Sequence, residues 1–278
     1  MVETNEKVRA YYEQNDEKNR LSNCWGQLEF GRSKEIIERH LPGPPGVVID
    51  VGGAAGRYSC WLAQEGYEVH LVDPVSTLVQ QARDASQKQP GHAICSFTVG
   101  DARQLDFSDE FADVVLMLGP LYHLTTRTDR LTAWRETIRT LKGGGVLFAV
   151  GISRFAPALD GLRRGTFFDS EFMRIIEQDL KDGQHRNHTD NPMYFTDAYL
   201  HRPEELQEEA TEAGFDHVET TAVEGLAYML QNLESNWNDA EKRRSMLQVI
   251  RLLEREPTVL GASSHLMCVA RKPTKSRD

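Results

Sequence analysis

The sequence predicts an α/β protein built on a doubly wound, mostly parallel sheet. Three observations carry that expectation. Short β-branched runs alternate with helix-compatible segments from residue 46 to residue 152, the rhythm that right-handed strand–helix–strand crossovers impose. The run FADVVLMLG, 111–119, is apolar nearly throughout, as a strand covered on both faces is. The first run ends in Gly52, Gly53, Ala54, Ala55 and Gly56, a knot of small residues whose conformational cost needs a reason.

Residues 1–41 read as helical, with Trp25 and Leu28 on one side. The first strand is GVVIDV, 46–51, and past the glycines RYSCWLAQEG forms a helix that stops on Gly66. YEVHLVD, 67–73, is the second strand; residues 75–89 are a helix with Leu78, Val79 and Ala82 on one face. HAICSFTVGD, 92–101, and the apolar run 111–119 are strands three and four. A helix over 129–145 ends on a glycine stop, and GVLFAVGI, 145–152, is strand five.

The rhythm then breaks over 153–201, a polar and aromatic insertion with one helix at 165–180. It resumes at 202–215, where Pro203 suits a first helical turn and Gly214 a C-terminal cap. HVETTAVEG, 217–225, is the sixth strand and SSHLMCVARK, 263–272, the last. Between them Leu226, Met229, Leu230, Leu233 and Trp237 mark one amphipathic helix, and Met246, Val249, Ile250 and Leu253 a second. The expected organisation is a helical cap over 1–45, a core over 46–152 and a lid over 153–201. The rest of the core follows over 202–272, with a helical insertion at about 226–256, and then a tail over 273–278.

Composition narrows the function. No apolar run approaches the roughly 18 residues of a membrane span, and the charged N-terminus lacks the apolar core of a signal peptide. The expected address is therefore cytoplasmic, with no membrane partner. A net charge of −10 counts against a nucleic-acid partner, because phosphate binding rests on clustered Lys and Arg. Cys24, Cys60, Cys95 and Cys268 form no CxxC pair, and His185 and His188 lack companions for a metal. No metal is expected.

The glycine knot does not fit the dinucleotide pattern G-x-G-x-x-G, because Val51 stands where its first glycine would fall. Residues 50–56, DVGGAAG, instead resemble the acidic-x-Gly-x-Gly-x-Gly signature of class I S-adenosylmethionine-dependent methyltransferases. Asp50, Gly52 and Gly56 match, and Ala54 replaces the middle glycine. Asp73 closes the second strand and Asp101 follows the third, at the places where this family holds the cofactor's ribose and adenine. The resemblance runs from about residue 46 to residue 272 and implies a seven-stranded Rossmann-like methyltransferase sheet whose final strand is antiparallel.

It also implies S-adenosyl-L-methionine as cofactor. The candidate contacts are Asp50, Gly52, Gly53, Ala54, Gly56, Asp73, Pro74, Asp101, Ala102 and Leu118, with Arg20 or Arg57 for the cofactor carboxylate. Taken singly, Asp50 is as consistent with helix capping, and Asp73 with a plain strand-end turn. The loop LGPLYHL, 118–124, lacks the polar residue that opens the Asn/Asp-Pro-Pro-Tyr motif of enzymes methylating adenine or glutamine amides. The expected acceptor is a small organic molecule, reacting at O, N or S. His123 is the candidate general base, with a local packing role as its alternative. Tyr11, Tyr122, His188 and Tyr194 are candidate acceptor contacts, the last two within the expected lid. An enzyme acting on RNA or protein, and a non-catalytic cofactor-binding protein, are the competing readings.

Overall fold

The computed structural model describes residues 6–14, 17–189 and 191–274. Helices α1 (Glu6–Gln14), α2 (Glu17–Arg20) and α3 (Cys24–Glu38) precede the sheet. The first half alternates strictly: β1 (Val47–Val51), α4 (Arg57–Gln64), β2 (Glu68–Asp73), α5 (Ser76–Ser86), β3 (Ser96–Val99) and β4 (Ala112–Met117). There follow α6 (Pro120–His123), α7 (Arg127–Thr140) and the long β5 (Leu141–Ser153). The insertion holds α8 (Ala156–Arg164), α9 (Ser170–Asp182), β6 (Gln184–His185) and β7 (Ala198–His201). The chain closes with α10 (Pro203–Glu212), β8 (Asp216–Ala222), α11 (Leu233–Asn238), α12 (Ala240–Leu253) and β9 (His265–Arg271).

Strands β3, β2, β1, β4 and β5 lie side by side and parallel. β9 runs antiparallel between β5 and β8. Val48, Ile49, Val114, Val115 and Leu116 are fully buried, because helices cover both faces. On one face α7 and α10 bring Ala133, Trp134, Leu206 and Ala210 against Val115 and Leu147. On the other, α3, α4 and α5 bring Ile36, Ile37, Leu62, Val79 and Ala82 against Val48 and Val114. The doubly wound expectation holds, with the reversal between β1 and β4 opening a crevice at their carboxyl ends.

Three details depart from the expected pattern. The glycines after α7 do not stop it: the helix ends at Thr140, and Leu141 already pairs with Ala112, so the glycines sit in an irregular stretch of β5. The sheet has nine strands rather than seven. β7 adds parallel to the end of β5 at Ile152 and Ser153, beyond the reach of β4, and β6 pairs with β7. The helix expected across 226–237 is broken into a 3-10 turn, Gly225–Met229, and α11, with Asn232 at φ 60° between them.

Leu28 from α3 packs with Leu233 and Ile250 in a separate cluster, tying the N-terminal helices to the 226–256 insertion. Buried Arg32 reinforces this seam through Glu254, and Arg39 reaches the same carboxylate at 2.6 Å. Among the described residues no helix is long and apolar enough to cross a membrane.

Candidate active site

A cavity of about 780 Å³ opens at the carboxyl ends of β1 to β4, where ligands enter open α/β sheets. Its floor is the turn after β1, and the glycines there answer first to packing. Gly52 has φ +74°, and a Cβ on it would lie 2.7 Å from Pro120 Cδ at the start of α6. Gly56 has φ +79°, and its Cβ would meet Ala82 of α5 at 2.9 Å. The small residues thus let α5 and α6 close onto the turn, which leaves a stretch of backbone as the cavity wall. Ala54, in the middle glycine's place, takes the left-handed conformation at φ 46°, which costs a residue with a Cβ on the order of 1–2 kcal/mol.

Asp73 holds that strained turn. Its Oδ2 accepts the Ala54 N–H and its Oδ1 the Val75 N–H, each at 2.9 Å. Burial raises its carboxyl to about 6, against the lowering effect of those two donors. Asp50 anchors the first turn of α4, its Oδ2 accepting the Ser59 hydroxyl at 2.6 Å, and burial again raises it to about 6. Two buried carboxylates lifted this far are short of donors, and each oxygen keeps acceptor capacity. A ligand carrying an ammonium group and ribose hydroxyls supplies such donors.

Pro74, Asp101, Ala102 and Leu118 line the same cavity. Asp101 is also held by Arg103, whose Nη2 donates to it at 2.8 Å and whose Nη1 reaches Asp129 at 3.0 Å. Arg57 lies over the Phe30 ring at 4.8 Å. Arg20 forks onto Glu29 at 2.6 and 3.0 Å and donates through Nε to Glu17 at 2.7 Å.

The far end of the cavity differs most from expectation. None of the described residues of 153–201 lines it; its wall comes from α1, α2 and α3, with Tyr12, Arg20, Leu21, Glu29 and Phe30. His188 and Tyr194, expected as acceptor contacts, do not line this cavity. Tyr194 donates to Asp169 at 2.7 Å and packs on Phe172, inside the insertion's own small core. Tyr11 stands one ring back, edge-on to Tyr12 and Phe195 at 5.4 Å each. Tyr122 and His123 do line the cavity. The insertion bears on the site from behind, through Phe195, 5.9 Å from the His123 ring.

His123 Nε2 lies 2.7 Å from Tyr12 Oη. Burial pushes the imidazole down to about 4, with the Asp197 backbone working the other way. It is neutral throughout the physiological range, well below the value near 6.5 of an unperturbed imidazole. With cofactor saturating, kcat is expected to show no His123-dependent fall between pH 8 and pH 5. A fall centred near 6.5 that disappears in His123→Ala would contradict this.

Position in sequence gave no signal for Glu29, Tyr58, Glu224 or His265. Three of them line the cavity, and Glu224 lies behind His265. His265 Nδ1 meets Glu224 Oε1 at 2.6 Å, while Glu224 Oε2 accepts Ser263 Oγ–H and the His265 N–H at 3.0 Å. Burial opposes a charge on His265, but Glu224 and Glu29 outweigh it and raise the group to about 9. Glu29, Glu224 and His265 form the one group of three among the described residues whose ligand atoms lie within 4.8 Å of one another. Both Glu29 oxygens face Arg20, so the group reads as an ion-pair network. Because folding raises its pKa, the stability His265 confers is full below about 6.5. It is lost as pH rises through about 9. Wild type is expected to lose thermal stability over that window, and His265→Gln to flatten the loss; an unchanged slope in the variant would refute it.

The fold is a doubly wound α/β sheet with a cavity at its strand ends, lined by the buried carboxylates Asp50 and Asp73. Residues 49–149 match the family described as a methyltransferase domain. The ubiquinone/menaquinone biosynthesis C-methyltransferase UbiE of Proteus mirabilis is 28% identical over 185 residues, 64% of this chain and 69% of that protein. The human probable tRNA methyltransferase 9B is 29% identical over 118 residues, 42% of this chain but 23% of that protein. A Methanosarcina mazei structure described as a SAM-dependent methyltransferase superposes with TM-score 0.59 at 17% identity, covering 86% of this chain and 98% of that one. These similarities support a place among the class I S-adenosylmethionine-dependent methyltransferases, with S-adenosylmethionine as the cofactor.

Proposed function

We propose that the protein transfers the cofactor's methyl group to an O, N or S atom of a small organic molecule. The carrying observation is the wall at the far end of the cavity, where α1, α2 and α3 fold over the ends of β4 and β5. A cavity of about 780 Å³ lies in the upper part of the roughly 300–1,000 Å³ range of small-molecule sites. That leaves room for a compact acceptor beside a nucleoside. The net charge of −10 counts against RNA, whose binding depends on neutralising phosphates. RNA is the second reading, favoured by the similarity to a tRNA methyltransferase over 118 residues.

In this reading Asp73 and Pro74 hold the ribose, and Asp50 faces the ammonium group. Gly52, Gly53, Ala54 and Gly56 present backbone to the methionine portion, while Asp101, Ala102 and Leu118 bound the adenine. The bound cofactor supplies an electrophilic methyl group. The protein's part is alignment: it sets the nucleophile about 3 Å from that carbon and excludes water. Tyr12, Tyr122 and His123 are titratable groups lining the acceptor end in this reading.

Methyl-labelled cofactor incubated with separate RNA, protein and small-metabolite fractions tests the proposal. Label is expected in the small-metabolite fraction and absent from the other two. Label recovered in RNA would replace this reading with the second.

A further inference from the structure

The far end of the cavity carries a chain of three polar rings. His123 Nε2 and Tyr12 Oη are 2.7 Å apart, and the Tyr122 hydroxyl is hydrogen-bonded to Tyr12 as well. All three line the cavity. The His123 ring stands edge-on to Tyr12 with centroids 5.2 Å apart, and the Tyr122 ring centroid is 4.6 Å from that of His123. In the tautomer with its proton on Nδ1, toward the Asp197 backbone, His123 Nε2 accepts the Tyr12 hydroxyl's hydrogen bond. A phenolic oxygen that donates keeps two acceptor sites. Tyr12 has one proton to give, to His123 Nε2 or to the Tyr122 oxygen, and its own oxygen keeps acceptor capacity for a ligand. Around this chain the wall combines aromatic and apolar side chains, Phe30, Tyr58, Leu21 and Val150, with the paired Arg20 and Glu29. Planar rings pack against such walls with edge or offset geometry.

We propose that the acceptor is an aromatic hydroxy compound whose O–H is received by Tyr12, with His123 acting through Tyr12. The inference rests on the proposed small-molecule reading and names its substrate class. In the transfer the acceptor's O–H bond breaks, and its proton passes to Tyr12 Oη as the Tyr12 proton moves to His123 Nε2. A lone pair of the acceptor oxygen forms the O–CH3 bond; the S–CH3 bond breaks and its electron pair stays on sulfur. One positive charge leaves the sulfur as one appears on the imidazole, so the cavity's net charge is unchanged. This matters because a buried site penalises any net gain of charge. Tyr12 is then the catalytic residue, and His123, acting through it, takes the proton that Tyr12 passes on.

The test uses para-nitrophenol and para-nitroanisole as probes of the full-length protein saturated with S-adenosylhomocysteine. The two differ in the hydroxyl, and the phenol reports its hydrogen bonding by its absorbance. Wild type is expected to bind para-nitrophenol saturably with a shifted spectrum. Tyr12→Phe is expected to weaken that binding about tenfold, the scale of one lost hydrogen bond, and to abolish the shift. Binding of para-nitroanisole and of the cofactor product should stay within about twofold of wild type, since neither uses this hydrogen bond. Equal weakening of both probes, an unaffected phenol, or no phenol binding by wild type would each overturn the proposal. Failure of wild type to bind S-adenosylhomocysteine would instead remove the functional reading beneath it.

Discussion

Asp73→Ala is expected to weaken S-adenosylmethionine binding by about 10–150-fold, equivalent to the ~1.5–3 kcal/mol of a hydrogen bond to a charged group. Two losses contribute. The proposed acceptor for the ribose hydroxyls disappears, and the Ala54 and Val75 N–H groups lose the carboxylate that each meets at 2.9 Å. Ala54 then has nothing holding it at φ 46°, and the turn relaxes away from the cofactor's methionine portion. Calorimetry with S-adenosylmethionine measures the effect. An affinity within twofold of wild type would show that Asp73 is only a turn residue.

Gly52→Val should be more damaging to the fold itself. A β-branched residue at φ +74° pays for left-handed backbone, and its Cβ would sit 2.7 Å from Pro120 Cδ, so α6 must move. Together these cost about 2–5 kcal/mol of stability. The displaced helix carries Tyr122 and His123, so cofactor binding and acceptor geometry fail together. Chemical denaturation reads the first effect and calorimetry the second. A variant of near wild-type stability would contradict the packing account of the glycines.

The strand-end wall of the cavity is legible in the sequence because it is local. Asp50 to Gly56, Asp73 and Asp101 each follow a strand of strong apolar character, and a parallel sheet brings successive strand ends to one edge. The acceptor end is assembled across the whole chain, from Tyr12, Arg20, Glu29, Tyr122 and His265, and no periodicity or spacing marks such a set. The insertion over 153–201 is misleading for a physical reason. Its aromatic and histidine content resembles a ligand-binding surface, but some of those groups are engaged within the insertion itself. Phe172 packs on Tyr194, and His185 bonds Asp179 at 2.9 Å and the Tyr194 carbonyl at 2.7 Å. Its two short strands extend the sheet at the end of β5, where β4 leaves an edge unpaired. That pairing braces α6 from outside the cavity. The helix expected over 226–237 is interrupted because Asn232 adopts a left-handed conformation, which apolar spacing does not register.

The central claim is that one cavity holds the cofactor on the ends of β1 to β3 and is closed by the N-terminal helices. Hydrogen–deuterium exchange, with and without S-adenosylhomocysteine, tests it most directly. The account predicts slowed exchange at 50–56, 73–75 and 100–103, and also at 8–14 and 17–22, with 153–201 nearly unchanged. Protection of 153–201 with none over 8–22 would contradict it and restore the insertion as the lid.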